Sequence, residues 1–196
     1  ASRSQRKKIL NNLTQFPVSV KTIPSLTDLI EDDTNYEKIQ DVSIADLLGR
    51  DPIRKEKIKK SEGLSEKTIL VTGAGGSIGS ELCKQVLEEK PRKLIIMDVS
   101  EYALYGISNS IASKAEKLGV HIVTQVGSVQ DTDFVRKHLA QYRPNIIYHA
   151  AAYKHVPLME DNIFEAVKNN ALGTHVVAAE AVKAKVEKFV LISTDK

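Results

Sequence analysis

The sequence predicts an α/β fold, a doubly wound parallel sheet, on three observations. Apolar runs such as Ile69-Leu-Val71, Leu94-Ile-Ile-Met97 and Phe189-Val-Leu-Ile192 are almost uninterrupted, as expected of strands covered by helices on both faces. Segments of helical period separate these runs over short connections. The first run leads directly into a glycine turn, Thr72-Gly-Ala-Gly-Gly-Ser-Ile-Gly79, which opens a helix.

Taken in order, the strands are expected at residues 68–72, 93–98, 120–126, 145–149 and 188–193. The helices between them fall at about 77–89, 101–118, 131–141 and 163–185. Asn162 with Glu165 three positions on reads as the start of the last helix. Its stripe of Val167, Ala171, Thr174, Ala178 and Ala181 is small and apolar, suited to close packing on a sheet. Gly106, inside the second helix, reads as a close-packing position. Right-handed crossovers then give the strand order 3-2-1-4-5, a Rossmann-like sheet that is incomplete at the C-terminus.

The glycine turn carries a chemical implication. Glycines at Gly73, Gly76 and Gly79 let the backbone turn sharply and approach a ligand, and the helix start offers free N–H groups of Ser77 and Ile78 to phosphates. Nineteen positions beyond Gly79 the second strand ends in Asp98. A carboxylate there accepts hydrogen bonds from a ribose diol and repels a 2′-phosphate. The pattern strand, turn, helix, strand, Asp therefore reads as a nicotinamide dinucleotide site for NAD, with NADP the alternative.

The first 63 residues have a different character. Residues 6–13 have the pattern of a short amphipathic helix, and 18–23 alternate like a strand. Segments 25–30 and 43–48 each open with Ser-x-x-Asp, and the second is followed by Gly49 and Pro52. Such elements cannot bury a convincing core. Residues 1–63 are therefore read as the tail of a preceding α/β unit with a charged linker, and 64–196 as the NAD-binding domain.

Composition excludes several classes. Of the 196 residues 42% are hydrophobic, enough for a core, yet no apolar run approaches the ~20 residues of a membrane span. No long apolar region follows the basic amino terminus, so a cytoplasmic protein without membrane contact in this segment is expected. The single cysteine, Cys83, excludes an internal disulfide; beside Leu82 and ahead of Val86 it reads as a buried thiol. The net charge of +3 traces to Arg3, Arg6, Lys7, Lys8 and the stretch 54–60, and with 5% aromatics it reads as solvated charge rather than a nucleic-acid surface. His121, His138 and His175 lack metal-ligand spacing, so no metal site is assigned.

Five motifs go beyond a generic cofactor fold. Thr72-Gly73-x-x-Gly76-x-x-Gly79 has the spelling of extended short-chain dehydrogenases/reductases. Asp98 continues as Val-Ser-Glu-x-x-Leu-Tyr105. Then come His149-Ala-Ala-Ala-Tyr-Lys-His-Val-Pro-Leu-Met-Glu160, Asn169-Asn-Ala-Leu-Gly-Thr174 and Leu191-Ile-Ser-Thr-Asp-Lys196. Together they closely resemble the nucleotide-sugar 4,6-dehydratases of capsule, O-antigen and protein-glycan synthesis, the bacterial polysaccharide biosynthesis branch of that superfamily. The resemblance covers residues 64–196 and reaches upstream to Asp46-Leu-Leu-Gly-Arg-Asp-Pro52.

The resemblance implies an NAD(P)-dependent lyase acting on a UDP-sugar, usually UDP-N-acetylglucosamine. Hydride leaves C4, the resulting ketone acidifies C5–H, water is lost across C5 and C6, and the hydride returns to C6. The product is a 4-keto-6-deoxy sugar. Thr194 matches the hydroxyl that polarises the oxygen at C4, Asp195 the acid for the C6 hydroxyl, and Lys196 the base for C5. Asn170 matches a helix asparagine at the catalytic end of the cofactor, and Ala150, Ala151 and Ala152 match the small residues beside the nicotinamide ribose. Ser128 stands where many superfamily members carry an Asp against adenine, with Val129 beside it to pack on the ring. Tyr153, Lys154 and His155 follow the fourth strand, within reach of substrate or as surface charge.

The resemblance implies a homo-oligomeric parent protein, associated with the inner membrane and facing the cytoplasm if it is one of the larger members. The family's substrate-gripping domain follows the position of Lys196, so the chain is expected to be a fragment that does not turn over a nucleotide sugar alone. Two rivals stay open at this point: a nucleotide-sugar 4-epimerase or reductase, and a non-catalytic module built on the dinucleotide fold. Ser-Thr-Asp after a strand also serves simply as a turn and helix cap.

Overall fold

A computed structural model describes residues 63–193 together with residues 5, 9, 12, 13, 16, 21, 22, 40 and 41. The chain forms two compact units, Ala1–Lys59 and Lys60–Lys196. In the first, Lys21–Thr22 pairs antiparallel with Gln40–Asp41, Lys21 opposite Asp41. The former lies in the expected strand 18–23. The latter was not anticipated, because two residues carry no periodicity to read. Residues 9, 12 and 13 of the expected helix 6–13 are helical. Its other residues, and segments 25–30 and 43–48, lie outside the described residues.

The second unit is the predicted parallel sheet. Its strands are β1 (Thr68–Thr72), β2 (Lys93–Asp98), β3 (His121–Val126), β4 (Ile146–His149) and β5 (Lys188–Leu191). They pair in the order β3-β2-β1-β4-β5. Register explains why the strands are apolar throughout. Ile69 stands opposite Leu94 and Ile146, and these residues enter one core layer. Leu70 stands opposite Ile95 and Ile147, which enter the other. Each strand thus needs apolar side chains on both faces.

Helix α1 (Ser77–Glu88) and α2 (Glu101–Leu118) cover the first face, with Cys83, Val86, Leu104, Ile107 and Ile111 buried there. Burial pushes the Cys83 thiol up to about 12, so the expected buried thiol is found. Helix α3 (Thr132–Tyr142) lies on the second face through Val135 and Leu139. Ser100 caps α2 by accepting from the Ala103 N–H, and Asp131 caps α3 by accepting from Asp133 and Phe134. Gly106 corrects one expectation: it is exposed, and a Cβ there would meet nothing within 4 Å.

The expected helix 163–185 is in fact broken. A short helix α4 (Val156–Glu160) comes first, with Pro157 in its first turn, where the missing N–H costs nothing. Then follow α5 (Ile163–Ala166), a π-helical stretch Val167–Gly173, and α6 (Thr174–Lys183). Asn162 does not cap; its Nδ2 donates to the Leu158 carbonyl instead. The wider π turn also moves the buried face. Asn169, Gly173, Val177 and Ala181 face inward, while Val167 and Ala171 are exposed. A stripe read at a period of 3.6 residues cannot survive an inserted π turn. Among the described residues, no helix is long and apolar enough to cross a membrane.

Candidate functional site

The site lies at the carboxyl ends of β1 and β4, where parallel sheets of this type open a crevice. Two close approaches shape its floor. Gly73 sits at φ +65°, and a Cβ on it would come 2.6 Å from the Ala151 nitrogen and 2.7 Å from the Ala150 carbonyl. A Cβ on Gly79 would lie 1.9 Å from the Gly73 oxygen. The turn and the first turn of α1 are therefore packed backbone on backbone, as only glycine permits.

Helix α1 starts at Gly76, and no side chain caps it. That distinguishes it from α2 and α3. Gly76, Ser77 and Ile78 are exposed, and with Gly79 they line a cleft of about 860 Å³. The opposite wall is the loop from Ala150 through Ala152, Tyr153, Lys154 and His155, backed by Asn170 and Thr174. Leu191, Ile192 and Ser193 close it. A positive helix end with free N–H groups, facing a wall that begins with three alanines, can hold an anionic ligand.

Asp98, Ser128 and Val129 lie outside this lining. Asp98 ends β2 half-buried, its Oδ2 accepting from the Gly75 N–H at 2.9 Å and its Oδ1 from the Ser100 N–H at 2.9 Å. Sequence reading missed Gly75, whose N–H ties the turn to Asp98. The signal was the carboxylate at a strand end, but its backbone partner is set by how the turn folds back. Gly127 donates to the Asp98 carbonyl at 2.9 Å, bringing β3 alongside. Ser128 Oγ accepts from the Gln130 N–H at 3.2 Å, and Val129 is buried in the core. Thr194, Asp195 and Lys196 lie outside the described residues. Among the described residues, no group of three or more His, Cys, Asp or Glu side chains is arranged to hold a metal ion.

Two polar residues at the cleft, one buried and one exposed, were not singled out from the sequence as a pair. His149, 1% exposed, places Nδ1 2.7 Å from the Thr72 hydroxyl and Nε2 3.0 Å from the Thr174 hydroxyl. Burial pushes its ring pKa down to about 4, so it is neutral. Asn170 Oδ1 accepts from the Tyr153 N–H at 2.9 Å, while its Nδ2 donates to the Tyr153 carbonyl at 2.9 Å. The asparagine thus holds the cleft loop by both ends of one residue.

The sequence and the fold have counterparts among known proteins. The family model described as "Polysaccharide biosynthesis protein" matches residues 69–196. The chain is 42% identical over 179 residues to the capsular polysaccharide biosynthesis protein CapD of Staphylococcus aureus, covering 91% of this chain and 30% of CapD. It is 34% identical over 131 residues to the UDP-N-acetylglucosamine 4,6-dehydratase (inverting) of Campylobacter jejuni, covering 66% of this chain and 37% of that enzyme. The chain thus spans about a third of the length of these curated relatives. Among solved structures, WbmG of Bordetella bronchiseptica in complex with NAD and UDP shares the fold at a TM-score of 0.56 and 24% identity, over 67% of this chain and 38% of WbmG. The glycine turn, the Asp98 strand end and the loop after β4 all fall inside the matched region, and the chain belongs to the polysaccharide biosynthesis protein family.

Proposed function

We propose that this chain is the dinucleotide-binding part of a nucleotide-sugar 4,6-dehydratase, acting on a UDP-sugar of the UDP-N-acetylglucosamine type in the synthesis of a surface polysaccharide or glycan. One observation carries the reading. The uncapped start of α1 faces the loop 150–155 across a cleft whose described lining includes Leu191, Ile192 and Ser193, the residues that precede Thr194-Asp195-Lys196 in the chain.

NAD is the group that fits, with NADP the alternative. The cradle at Gly73 and Gly79 is one that a Cβ would fill, and the free N–H groups beside it suit a pyrophosphate. Gly73, Gly76, Ser77, Ile78 and Gly79 would hold that pyrophosphate, and Asp98 the adenosine ribose. Ser128 and Val129 belong to the adenine end; Ala150, Ala151, Ala152 and Asn170 belong to the nicotinamide end. When bound, the nicotinamide supplies a reversible hydride acceptor.

Three of the chain's own groups serve the proton chemistry at C5 and C6 and polarise the oxygen at C4, while the proton that the C4 hydroxyl gives up on oxidation passes to a base that is not among them. The Thr194 hydroxyl orients and polarises the oxygen at C4. Lys196, neutral when it acts, takes the C5 proton. Asp195, protonated, gives its proton to the C6 hydroxyl, which leaves as water. Tyr153, Lys154 and His155 stand at the cleft mouth to meet the sugar nucleotide. In this reading the protein works in the cytoplasm as a homo-oligomer, its larger relatives at the membrane face.

Calorimetric titration of the folded chain with NAD+ and NADP+ tests the cofactor site. Saturable binding that favours NAD+ is expected, and a folded chain that binds neither overturns it. This chain alone is expected to be inactive, so mass spectrometry of UDP-N-acetylglucosamine after incubation with NAD+ and a full-length protein that carries this chain tests the reaction. Loss of one water marks a dehydratase, whereas a changed sugar of unchanged mass marks an epimerase and overturns this reading.

A further inference from the structure

His149 is a buried titratable side chain that the proposed chemistry does not use, yet both of its ring nitrogens are engaged. The Thr174 hydroxyl donates to the Asn170 carbonyl at 2.7 Å. Its single proton being committed there, Thr174 offers His149 Nε2 only a lone pair at 3.0 Å. Nε2 must therefore carry the ring proton. Nδ1 is then an acceptor, and the Thr72 hydroxyl at 2.7 Å donates to it. One tautomer satisfies every partner. The other would set two lone pairs against each other at Nε2, and the imidazolium, although it could donate to both hydroxyls, would place a charge without a counter-charge on a ring that is 1% exposed.

The resulting chain of donors runs in one direction. It passes from Thr72, next to the glycine turn, through His149 and Thr174 to the Asn170 carbonyl. From there the Asn170 side chain grips the Tyr153 backbone on both sides. Four segments of the cleft are joined by it: β1, β4, the π-helical stretch with the start of α6, and the loop after β4. Phe189 of β5 stacks on the ring at 5.8 Å and closes its other side. Buried chains of this kind are stiff when complete and costly when broken.

We propose that His149 is a positioning residue of the dinucleotide cleft: as the neutral Nε2–H tautomer it locks the glycine turn on β1 to the Asn170–Tyr153 wall and so sets the width of the cleft. The inference rests on the dinucleotide reading above. It assigns His149 no contact with substrate or cofactor, and it makes Thr72 and Thr174 its partners rather than incidental neighbours. The geometry puts a proton on Nε2, and burial keeps the ring neutral.

The test uses the 196-residue chain and three readouts. The first is the side-chain nitrogen spectrum of His149, where the Nε2–H tautomer is expected at pH 7; an Nδ1–H tautomer or an imidazolium overturns the proposal. The second is NAD+ affinity by calorimetry. His149→Phe keeps a flat ring over Phe189 but removes both nitrogens, and it is expected to weaken NAD+ roughly tenfold or more, the equivalent of one buried hydrogen bond left unmade. Thr174→Val is expected to weaken it by a smaller factor, and Thr174→Ser to restore it. Wild-type affinity in His149→Phe overturns the proposal. The third is hydrogen exchange of the Asn170 side-chain amide, expected to speed up in His149→Phe and Thr174→Val; unchanged exchange in both overturns it. Should His149→Phe fail to fold, Thr174→Val and the wild-type spectrum decide. Should the wild-type chain bind no NAD+, the dinucleotide reading fails on its own, and the spectrum and the exchange rates still decide the tautomer and the lock.

Discussion

Asn170 holds Tyr153 by both backbone groups, accepting its N–H and donating to its carbonyl, each at 2.9 Å. An asparagine is the one common side chain of this length that offers an acceptor and a donor side by side. Both residues line the same cleft, so a contact that looks structural sets the position of a ligand wall. Asn170→Asp keeps the acceptor but turns an oxygen toward the Tyr153 carbonyl. NAD+ affinity is expected to fall roughly tenfold, for the loss of one hydrogen bond and the repulsion that replaces it. Calorimetry checks it, and affinity equal to wild type would remove Asn170 from the site.

Gly79→Ala and Gly106→Ala make an informative pair. At Gly79 the added methyl would lie 1.9 Å from the Gly73 oxygen, whereas at Gly106 it meets nothing within 4 Å. The first substitution must push α1 off the turn, at about 1–3 kcal/mol of stability, with loss of measurable NAD+ binding. The second removes a flexible residue from a helix interior and should raise stability by about 0.5–1 kcal/mol with unchanged affinity. Thermal melts and titrations of both variants check these directions.

Asp98→Asn tests the ribose end. The carboxylate accepts backbone N–H groups from Gly75 and Ser100 on separate oxygens. Asparagine has one acceptor oxygen, so one N–H loses its partner, and the negative charge that repels a 2′-phosphate disappears. NAD+ affinity should fall, and the preference for NAD+ over NADP+ should narrow. Parallel titrations with both dinucleotides measure this; an unchanged preference would mean that Asp98 serves the turn alone.

His149 gives a pH dependence with a defined sign. Its pKa falls from the ordinary 6.5 to about 4 on folding. As pH drops below 6.5 the unfolded chain takes up a proton that the folded chain refuses. Stability is therefore complete above pH 6.5 and declines toward pH 4, by about 3 kcal/mol in total at ~1.4 kcal/mol per unit. Glu180, held down by Lys183 and Arg136, and Glu187, held down by Lys67 and Asn145, lose their contributions only below the ordinary carboxylate value of 4.5. Denaturant titrations between pH 7 and 5 isolate the histidine. A flat profile there, or the same slope in His149→Phe, would contradict the assignment.

Much of the fold was legible because its information is local. The alternation of apolar strands with helices is written in hydrophobic periodicity, and a parallel sheet with two covered faces leaves few topologies. The glycine turn was legible for a related reason: its spacing is a steric requirement between residues seven positions apart or fewer, as the approach of Gly79 to Gly73 shows.

The π-helical stretch Val167–Gly173, the inward turn of Asn169, and the failure of Asn162 to cap were not legible. A π turn is rare and leaves no mark in the periodicity; here it carries Asn169 inward, with Asn170 bonded to the Tyr153 backbone. The His149 bridge is of the same kind. Thr72 and His149 end two apolar strands 77 positions apart, and nothing in either strand announces the other. Only the register of β1 against β4, with Thr72 opposite His149, and the arrival of Thr174 above them make one histidine tautomer the keystone of the cleft. Periodicity and steric spacing act between near neighbours and can be read along the chain. A buried hydrogen-bond network joins groups that meet only after the sheet has assembled, so its partners and its proton direction belong to the folded molecule.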